Sequence, residues 1–381
     1  MKKTNRFRLR SIIITAALSV VITLGAVALA LWLLLGSQGI AVATGALLIN
    51  TGFVGEYDKD TMADAALDSM VESLGDRWSY YADAETYKAL RERRSNSYVG
   101  IGVTVIYMED GVHIQEVTEG GPAEKAGLKA GEIIVAADGQ DLTGANAQNG
   151  ASYIQGEVGT SVVLTVLDEQ GVSREVAVKR ERIRKNPVTA ELLEDGVGYV
   201  RLDNFYKGSA DHVKKEVDSL VEQGATSLLF DMRSNPGGYV NELTKLLDYL
   251  LPKGPIFRSG TLMGPRTAVR SDANCIDLPM AVLINGDSYS AAELFAAQLR
   301  ESVNAPLIGQ PTCGKGYSQQ TYPLPGGRAL NISTKTYYTG AGVSLIGVGL
   351  TPDVEVELTG PEDNQLKAAV EALLEFAKTI E

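Results

Sequence analysis

The sequence predicts an α/β core with substantial parallel sheet, preceded by an N-terminal transmembrane helix, a helical cap and a β-rich insertion with two short helices. Two observations carry this prediction. Strand and helix patterns alternate within residues 184–357, as they do where strands pair in parallel. Residues 11–35 are 25 consecutive uncharged, mostly apolar positions. As a helix they would measure roughly 38 Å, enough to cross a hydrocarbon core of about 30 Å.

The first ten residues decide the orientation of that helix. Residues 1–10 carry five basic side chains and no acidic one, which predicts a cytoplasmic N-terminus and an extracytoplasmic remainder on a single-pass cell-membrane protein. A cleaved secretory signal is the alternative, because Ala41-Val42-Ala43 resembles a cleavage site. The apolar run exceeds the usual ~7–15 residues of a signal core, which favours the uncleaved anchor. Both readings place the rest of the chain outside the cytoplasm.

The next two segments are predicted to connect the anchor to the core. Residues 36–54 contain several glycines and small residues and are expected to form a short linker. Residues 55–97 show apolar positions at helical spacing, which predicts a cap of two or three amphipathic helices. The chain has a formal net charge of −12, which argues against nucleic acid or anionic lipid surfaces as partners.

The core pattern can be assigned element by element. Strands are expected at 197–202, 227–232, 281–284 and 331–338, and helices at 210–222, 241–251 and from 291 onward. The C-terminal segment, 358–381, is expected to form a last helix at about 363–379. That helix carries one apolar face, which would pack on the core or pair with a second subunit in a homodimer.

Ser290 lies where the apolar strand 281–284 turns through small residues into a helix. A side chain at a helix N-terminus faces unpaired N–H groups that can stabilise an oxyanion. The alternative is structural: Ser290 followed by Glu293 fits a capping box. A catalytic serine would also need a neighbouring base to take its proton.

Lys315, between two glycines, is the candidate base. The chain contains only two histidines, and His113 and His212 fall within a strand pattern and an amphipathic helix respectively. A lysine acts as a base only when it is neutral, which requires burial that lowers its pKa. A drop of about three pKa units would cost on the order of 4 kcal/mol.

These segments resemble the tail-specific, or C-terminal processing, protease family. The shared pattern is a serine at a strand-to-helix turn, a lysine 25 positions later (Lys315), Gln319 four further on, and the glycine-rich turn that ends 228–238. The resemblance implies a serine-lysine catalytic dyad with Gln319 orienting the lysine. It also implies an oxyanion hole made by the N–H groups of Ala291 and of Gly237 or Gly238.

Residues 98–183 resemble a PDZ domain inserted before the protease core. The resemblance rests on the loop formed by Gly100, Ile101, Gly102 and Val103, together with the segment 121–132. It implies that backbone N–H groups of the loop bind a peptide carboxylate beside a groove helix at 147–154, with the peptide adding a strand. Gln155 stands where many relatives carry an arginine, so peptide-gated activation stays open.

Taken together, the resemblance implies a membrane-anchored extracytoplasmic serine endopeptidase with an α/β protease core. Its substrates would be proteins or peptides with free, apolar C-termini, captured by the PDZ domain. The alternatives are a catalytically silent PDZ scaffold and a lipid or small-molecule carrier on the same core. No cofactor is expected, and no Cys and His spacing predicts a metal site. Cys275 and Cys313 could form a disulfide or remain free thiols.

Overall fold

The structure is a computed structural model that describes residues 2–261, 267–272 and 274–380, with side chains from residue 14 onward. The chain divides into two compact units, Met1–Ala66 and Leu67–Glu381, and each is described by itself. Residues 262–266 and 273 are not described, nor are Met1 and Glu381.

The first unit is dominated by one long helix, α1 (Lys2–Gly52), followed by the start of α2 (Lys59–Glu72). Within α1, the segment Ile14–Gly52 is long and apolar enough to cross a membrane, and its side chains are largely exposed. Gly36 breaks the regular helix with φ 64° and ψ −176°. The expected linker at 36–54 is therefore helical as far as Gly52; its alanine and leucine residues favour a helix and it contains no proline.

The region expected to form the helical cap contains a strand as well as helices. After α2 come β1 (Tyr80–Ala82) and α3 (Ala84–Arg94). The aromatic pair Tyr80 and Tyr81 suits a strand, and Asp83 then caps α3 by accepting a hydrogen bond from the N–H of Thr86 at 2.7 Å.

The insertion folds as a β-rich domain. Its elements are β2 (Ser97–Gly100), β3 (Val103–Met108), β4 (Gly111–Val117), α4 (Pro122–Lys125), β5 (Ile133–Ala137), β6 (Gln140–Asp141), α5 (Gly150–Ile154), β7 (Ser161–Leu167), β8 (Ser173–Lys179) and β9 (Glu181–Arg184). The main sheet has the order β3-β4-β5-β7-β8, with β6 on β5, while β2 pairs with β9. The groove helix is shorter than expected, because a 3₁₀ turn at Gly144–Asn149 occupies its first part.

The core follows. Its elements are β10 (Val188–Leu192), β11 (Val197–Leu202), α6 (Ser209–Glu222), β12 (Ser227–Asp231), α7 (Val240–Leu250), β13 (Gly254–Gly260), β14 (Thr267–Ser271), β15 (Met280–Ile284), α8 (Ala291–Val303), β16 (Leu307–Gly309), β17 (Tyr317–Pro323), β18 (Ala329–Thr339), β19 (Val354–Glu355) and α9 (Asn364–Ile380). One sheet has the order β10-β11-β12-β15-β16-β19, and all its pairs except β10 with β11 are parallel. A second, antiparallel sheet has the order β1-β18-β13-β14, with β17 on β18.

Helices cover both faces of the parallel sheet. Side chains from α6, α7 and α8 form one hydrophobic cluster with it, and α9 forms another on the opposite side. In α9, Ala369 and Leu373 are fully buried against strand residues such as Leu229 and Leu283. The last helix therefore packs on the core. The carboxyl ends of β12 and β15, buried along their lengths, place the two loops that form the candidate site side by side.

Candidate active site

Ser290 lies at the sharp turn between β15 and α8. Its backbone has φ +62° and ψ −117°, a conformation that costs a non-glycine residue about 1–3 kcal/mol. Hydrogen bonds to the loop after β12 hold the turn. The Ser288 hydroxyl donates to the carbonyl of Met232 at 2.7 Å, and the Ser234 N–H donates to Asn285 Oδ1 at 2.8 Å. The strained turn presents Ser290 at the helix N-terminus.

Ser290 and Glu293 form the predicted capping box at the start of α8. The backbone N–H of Ser290 donates to Glu293 Oε2 at 2.9 Å, and the Ser290 side chain faces the backbone of Glu293. The Tyr337 hydroxyl donates to the carbonyl of Lys315. Burial raises the pKa of Tyr337, and a hydrogen bond with the Ser290 side chain opposes that rise. Ser290 thus has the structural role of a capping residue and also lines the cleft that contains Lys315.

Lys315 lies in the loop between β16 and β17 and is only partly exposed. Its Nζ is 4.5 Å from the ring centroid of Trp78 and 5.7 Å from that of Tyr289. Burial, together with the nearby positive charge of Arg94, lowers the pKa of Lys315 to about 8. Ser290 and Lys315 line the same cleft of about 1190 Å³, although no hydrogen bond joins their side chains in the described part of the chain.

Glu293 ties the serine turn to the lysine loop. Its side chain is fully buried, and its Oε1 accepts from the Thr312 hydroxyl at 2.6 Å and from the Gly314 N–H at 2.7 Å. Its Oε2 accepts from the N–H of Lys315 at 3.0 Å, besides that of Ser290. Burial raises the pKa of Glu293 and the four donors oppose that rise. Because every partner donates, the carboxyl group fits this site as an ionised carboxylate.

The glycine loop packs directly against Ser290. A Cβ on Gly237 would lie 2.7 Å from the Ala291 nitrogen and 2.9 Å from Ser290 Cβ, and its φ is +79°. The N–H of Gly237 already donates to Asn235 Oδ1 at 2.8 Å. Among the described residues, the N–H groups of Gly238 and Ala291 have no hydrogen-bond partner. Of the two glycines expected as oxyanion donors, Gly238 is thus the one with an available N–H.

Gln319, on β17, does not contact Lys315 through a hydrogen bond in the described structure. Its Nε2 donates to the Tyr317 carbonyl at 3.0 Å and to Ser333 Oγ at 2.9 Å. These two bonds orient the amide, and they leave its Oε1 oxygen as an acceptor. Gln319 lines the same cleft as Ser290 and Lys315.

Sequence reasoning missed Trp78, which comes from the region expected to be a plain helical layer. Its ring lies 5.8 Å from that of Tyr289 and 4.3 Å from the guanidinium of Arg77, and it covers Lys315. The aromatic residues between α2 and α3 were the available signal, because they do not follow helical spacing. Glu293 was noticed only as a capping residue.

The two histidines, which are the alternative bases, lie on other elements than Ser290. His113 is on β4, where its Nε2 contacts Asp110 Oδ1 at 2.7 Å, and His212 is on α6. Neither histidine lines the cleft of Ser290.

Cys275 and Cys313 are free thiols, and Arg77 Nη2 lies 3.5 Å from Cys313 Sγ. The described residues contain no group of three metal-ligating side chains.

The candidate carboxylate loop precedes an edge strand of the insertion. Gly100 ends β2, Ile101 is buried, Gly102 has φ +82°, and Val103 begins β3. In the described sheet β3 pairs only with β4, which leaves its other edge open beside the groove helix α5. An open strand edge next to a helix is the geometry that accepts an added peptide strand.

Comparison with known proteins identifies the family. Residues 196–356 match the model of peptidase family S41, and residues 113–168 match that of the PDZ domain. The chain is 31% identical to the carboxy-terminal processing protease CtpA of Bacillus subtilis (strain 168), over 81% of this chain and 67% of that protein. It is 32% identical to a carboxy-terminal-processing protease of Bartonella bacilliformis, over 82% and 74%.

A solved structure shows the same relationship. The photosystem II D1 C-terminal processing protease matches with a TM-score of 0.51 and 25% identity, covering 89% of this chain and 91% of that one. With the strand-to-helix serine turn, the glycine loop and the lysine loop in one cleft, these matches lead to one conclusion. The chain is a serine protease of the peptidase S41 family, of the carboxy-terminal processing type, with a PDZ domain.

Proposed function

We propose that this protease is a membrane-anchored extracytoplasmic endopeptidase that captures protein C-terminal tails through its PDZ domain and cleaves them with a Ser290–Lys315 dyad. The observation that carries the proposal is Lys315 itself. It shares a cleft with Ser290, and burial brings its pKa to about 8, so that a substantial fraction is neutral near physiological pH.

In the proposed mechanism, the Lys315 amine turns from the Trp78 ring toward Ser290 and takes the hydroxyl proton. Ser290 Oγ then bonds to the scissile carbonyl carbon, and the oxyanion accepts hydrogen bonds from the N–H groups of Ala291 and Gly238. As the peptide C–N bond breaks, Lys315 returns the proton to the leaving amine. In the second half of the cycle, Lys315 takes a proton from a water molecule whose oxygen bonds to the acyl carbon. The bond from that carbon to Ser290 Oγ then breaks, and Lys315 returns the proton to Ser290 Oγ.

Gln319 is proposed to orient the lysine during this cycle. Its amide nitrogen is held by Tyr317 and Ser333, which directs its oxygen to accept a hydrogen bond from the amine. Because the amide is neutral, it can hold Lys315 without raising the pKa of the lysine as a carboxylate would.

Tail capture is proposed at the loop 100–103. Backbone N–H groups there would bind the terminal carboxylate, and the tail would extend as a strand along the open edge of β3. The buried apolar side chains of the domain around this loop, among them Ile101 and Ile154, favour an apolar last residue. The α1 segment Ile14–Gly52 is proposed to anchor the protein, with the basic residues 1–10 in the cytoplasm.

The deciding experiment measures cleavage of an unstructured reporter with an apolar C-terminus by the full-length chain in detergent. We expect Ser290→Ala and Lys315→Ala each to lower kcat/KM by about 10⁴-fold, because both act on the same proton. Amidation of the reporter C-terminus should raise KM, since it removes the captured carboxylate. Full activity of Lys315→Ala would refute the dyad. An unchanged KM for the amidated reporter would refute tail capture.

A further inference from the structure

The cleft around Ser290 is strongly basic in a protein whose net charge is −12. Among its described lining residues, seven are basic and one is acidic. The basic ones are Arg77, Arg91, Arg93, Arg94, Lys207, Lys315 and Lys335. The acidic one, Glu242, is buried. Its Oε2 accepts a hydrogen bond from the N–H of Ala210 at the start of α6, so its charge stabilises the N-terminus of that helix.

These cations lack ion-pair partners among the described residues, although the negative charges of Asp76 and Glu293 act on Lys315. Leaving Lys315 aside, none of them forms an ion pair with a described residue. Their contacts are with aromatic rings and hydroxyls. Arg91 lies 5.8 Å from the ring of Tyr87, and Arg94 donates to the Tyr80 hydroxyl at 3.0 Å and to Thr321 Oγ1 at 3.4 Å. Unpaired charges of one sign in a cleft leave a positive field for a ligand to neutralise.

The helix dipole explains only part of this arrangement. Arg91, Arg93 and Arg94 lie in the last turn of α3, where cations are favourable in any helix. Lys207 comes from the loop before α6 and Lys335 from β18, so neither lies in a helix. Three separate elements thus bring positive charge to one cleft.

The positive charge also reaches the reacting groups. Burial and then the positive charge of Arg94 lower the pKa of Lys315. Burial raises the pKa of Tyr289, the residue before Ser290, and the positive charge of Arg93 opposes that rise. The N–H of Lys207 donates to the carbonyl of Arg94 at 3.2 Å, which places the two side by side. A substrate segment at Ser290 therefore lies among these cations.

We propose that the preferred substrate segment flanking the cut is acidic, with Asp or Glu side chains bound by Arg91, Arg93 and Lys207. This inference deepens the proposed protease function and rests on it. A tail that suits both sites has acidic residues upstream of an apolar C-terminus. Charge complementarity supports a peptide over an anionic bilayer, because the cations line the concave cleft of Ser290 while the net charge of the whole protein repels an anionic surface.

The test compares three unstructured reporters that share one apolar C-terminus and differ only in whether the cleavable segment carries Asp, Asn or Lys residues. With the full-length chain in neutral detergent at low salt, we expect kcat/KM for the Asp reporter to exceed that for the Asn reporter by about tenfold. The Lys reporter should be cleaved most slowly. At about 1 M salt, where the Debye length is ~3 Å, the preference should fall to about twofold or less.

Two triple variants with the same change in net charge locate the effect. Arg91→Gln/Arg93→Gln/Lys207→Gln removes cations of the cleft, and the Asp preference should drop to about twofold or less. Lys253→Gln/Lys367→Gln/Lys378→Gln removes exposed lysines outside it, and the preference should stay near tenfold. Equal preference in both triple variants would overturn the proposal, as would equal cleavage of the Asp and Asn reporters by the unmodified chain.

A binding measurement distinguishes failure of the acidic preference from failure of the protease function on which it rests. Fluorescence anisotropy with the Ser290→Ala chain should give a Kd for the Asp reporter about tenfold below that for the Asn reporter. Tighter binding of the Asp reporter without cleavage of any reporter by the unmodified chain would sink the protease proposal and support the acidic preference. Cleavage of all reporters with no difference in rate or Kd would support the protease function and refute the acidic preference. The triple variant Arg91→Gln/Arg93→Gln/Lys207→Gln could instead lose affinity for anionic vesicles and keep its Asp preference. The cations would then bind the membrane surface, and the proposal would fail.

Discussion

The burial of Lys315 predicts how the activity depends on pH. Only the neutral amine can accept the serine proton, so kcat/KM should rise with pH through an apparent pKa of about 8 and then level off. A pH–rate profile for the reporter checks this. A rise centred near 6.5 would instead point to a histidine.

The same lowered pKa predicts a cost in stability. Between about pH 8 and 10.5, Lys315 is protonated in the unfolded chain, where its pKa is the ordinary 10.5, but is largely neutral in the folded chain. The free energy of unfolding should therefore rise with pH across that window. Near pH 7 the variant Lys315→Met should be inactive and yet more stable, by about 1–3 kcal/mol. Denaturant unfolding at pH 7 and pH 10 tests this, and a loss of stability at pH 7 would contradict it.

Glu293 is expected to act as a positioning residue through the two loops that it joins. In Glu293→Gln the amide NH₂ would face one pair of backbone or hydroxyl donors, which costs about 1–3 kcal/mol and shifts the lysine loop. We expect kcat to fall about 10–100-fold with little change in KM. The negative charge of Glu293 raises the pKa of Lys315, so its removal should also move the rise of the pH–rate profile to lower pH. A profile with unchanged midpoint would leave Glu293 with a purely structural role.

Gly237 provides a test of close packing against the serine. An alanine Cβ there would meet the Ala291 nitrogen and Ser290 Cβ at under 3.0 Å, so Gly237→Ala should lower kcat about 10²-fold or more. Gly208→Ala is the matched control, because Gly208 also has positive φ, +84°, but has no atom within 4 Å of the added Cβ. Both variants should lose about 1 kcal/mol of stability from the strained backbone. Equal activities would contradict the role of the glycine loop.

The candidate residues were accessible to sequence reasoning to different degrees. Ser290 and Lys315 were found because a strand-to-helix turn and a spacing of 25 positions are visible in one dimension. Gln319 and Gly237 were found with them, but the structure alone reveals that the N–H of Gly237 is occupied by Asn235. The link through Glu293 joins residues up to 22 positions apart, and Trp78 reaches Lys315 from 237 positions away. No local pattern predicts such contacts.

Among the elements, the groove helix α5 depends on one buried arginine. Arg180, after β8, donates from Nε to the Ile154 carbonyl at 2.8 Å and from Nη2 to the Tyr153 carbonyl at 3.3 Å, which caps the C-terminal end of α5. Its Nη1 also donates to Thr160 and Ser161. The helix is therefore fixed to the strands rather than free to move alone.

Replacing Arg180 should weaken tail capture before it affects catalysis. Arg180→Met leaves these carbonyls without donors and should destabilise the insertion by about 2–4 kcal/mol. The Kd for a free-carboxylate tail peptide, measured in the Ser290→Ala chain, should rise about tenfold, while kcat at saturating substrate stays close to that of the unmodified protein. Arg182→Gln, an exposed arginine two residues on, is the control and should change neither. An unchanged Kd for Arg180→Met would refute this role.

The elements also differ in how well the sequence predicts them. The strand β11 has the expected bounds, because its largely apolar run is flanked by Gly196 and Asp203. Helix α6 begins one residue earlier than expected, and α7 and α9 are each shifted by one residue. The second sheet was missed except for β18, since β13 begins with Gly254 and Pro255, and β1 gains its partner from 250 residues downstream. The segment 36–54, expected as a linker, is helical as far as Gly52, since alanine and leucine favour a helix.

For the whole molecule, the proposal that α1 anchors the protease in the membrane can be tested directly. If residues 11–35 remain as an anchor, the full-length chain should stay in the membrane pellet after alkaline carbonate extraction. Deletion of residues 1–52 should release it. Protease added outside the cell should digest the catalytic body but leave a tag placed before residue 1 intact. A soluble product whose mass corresponds to cleavage after Ala43 would instead identify a signal peptide.

The basic cleft has a consequence for turnover as well as for recognition. Each cut of a peptide creates a new α-carboxylate at the end of the product that occupied the cleft, beside Arg93, Arg94 and Lys315. That product carries one more negative charge than the uncut segment, so it dissociates slowly from a site of positive potential. Product inhibition should therefore curve the time course well before substrate is exhausted. Added salt should straighten it, because screening speeds release even as it weakens capture.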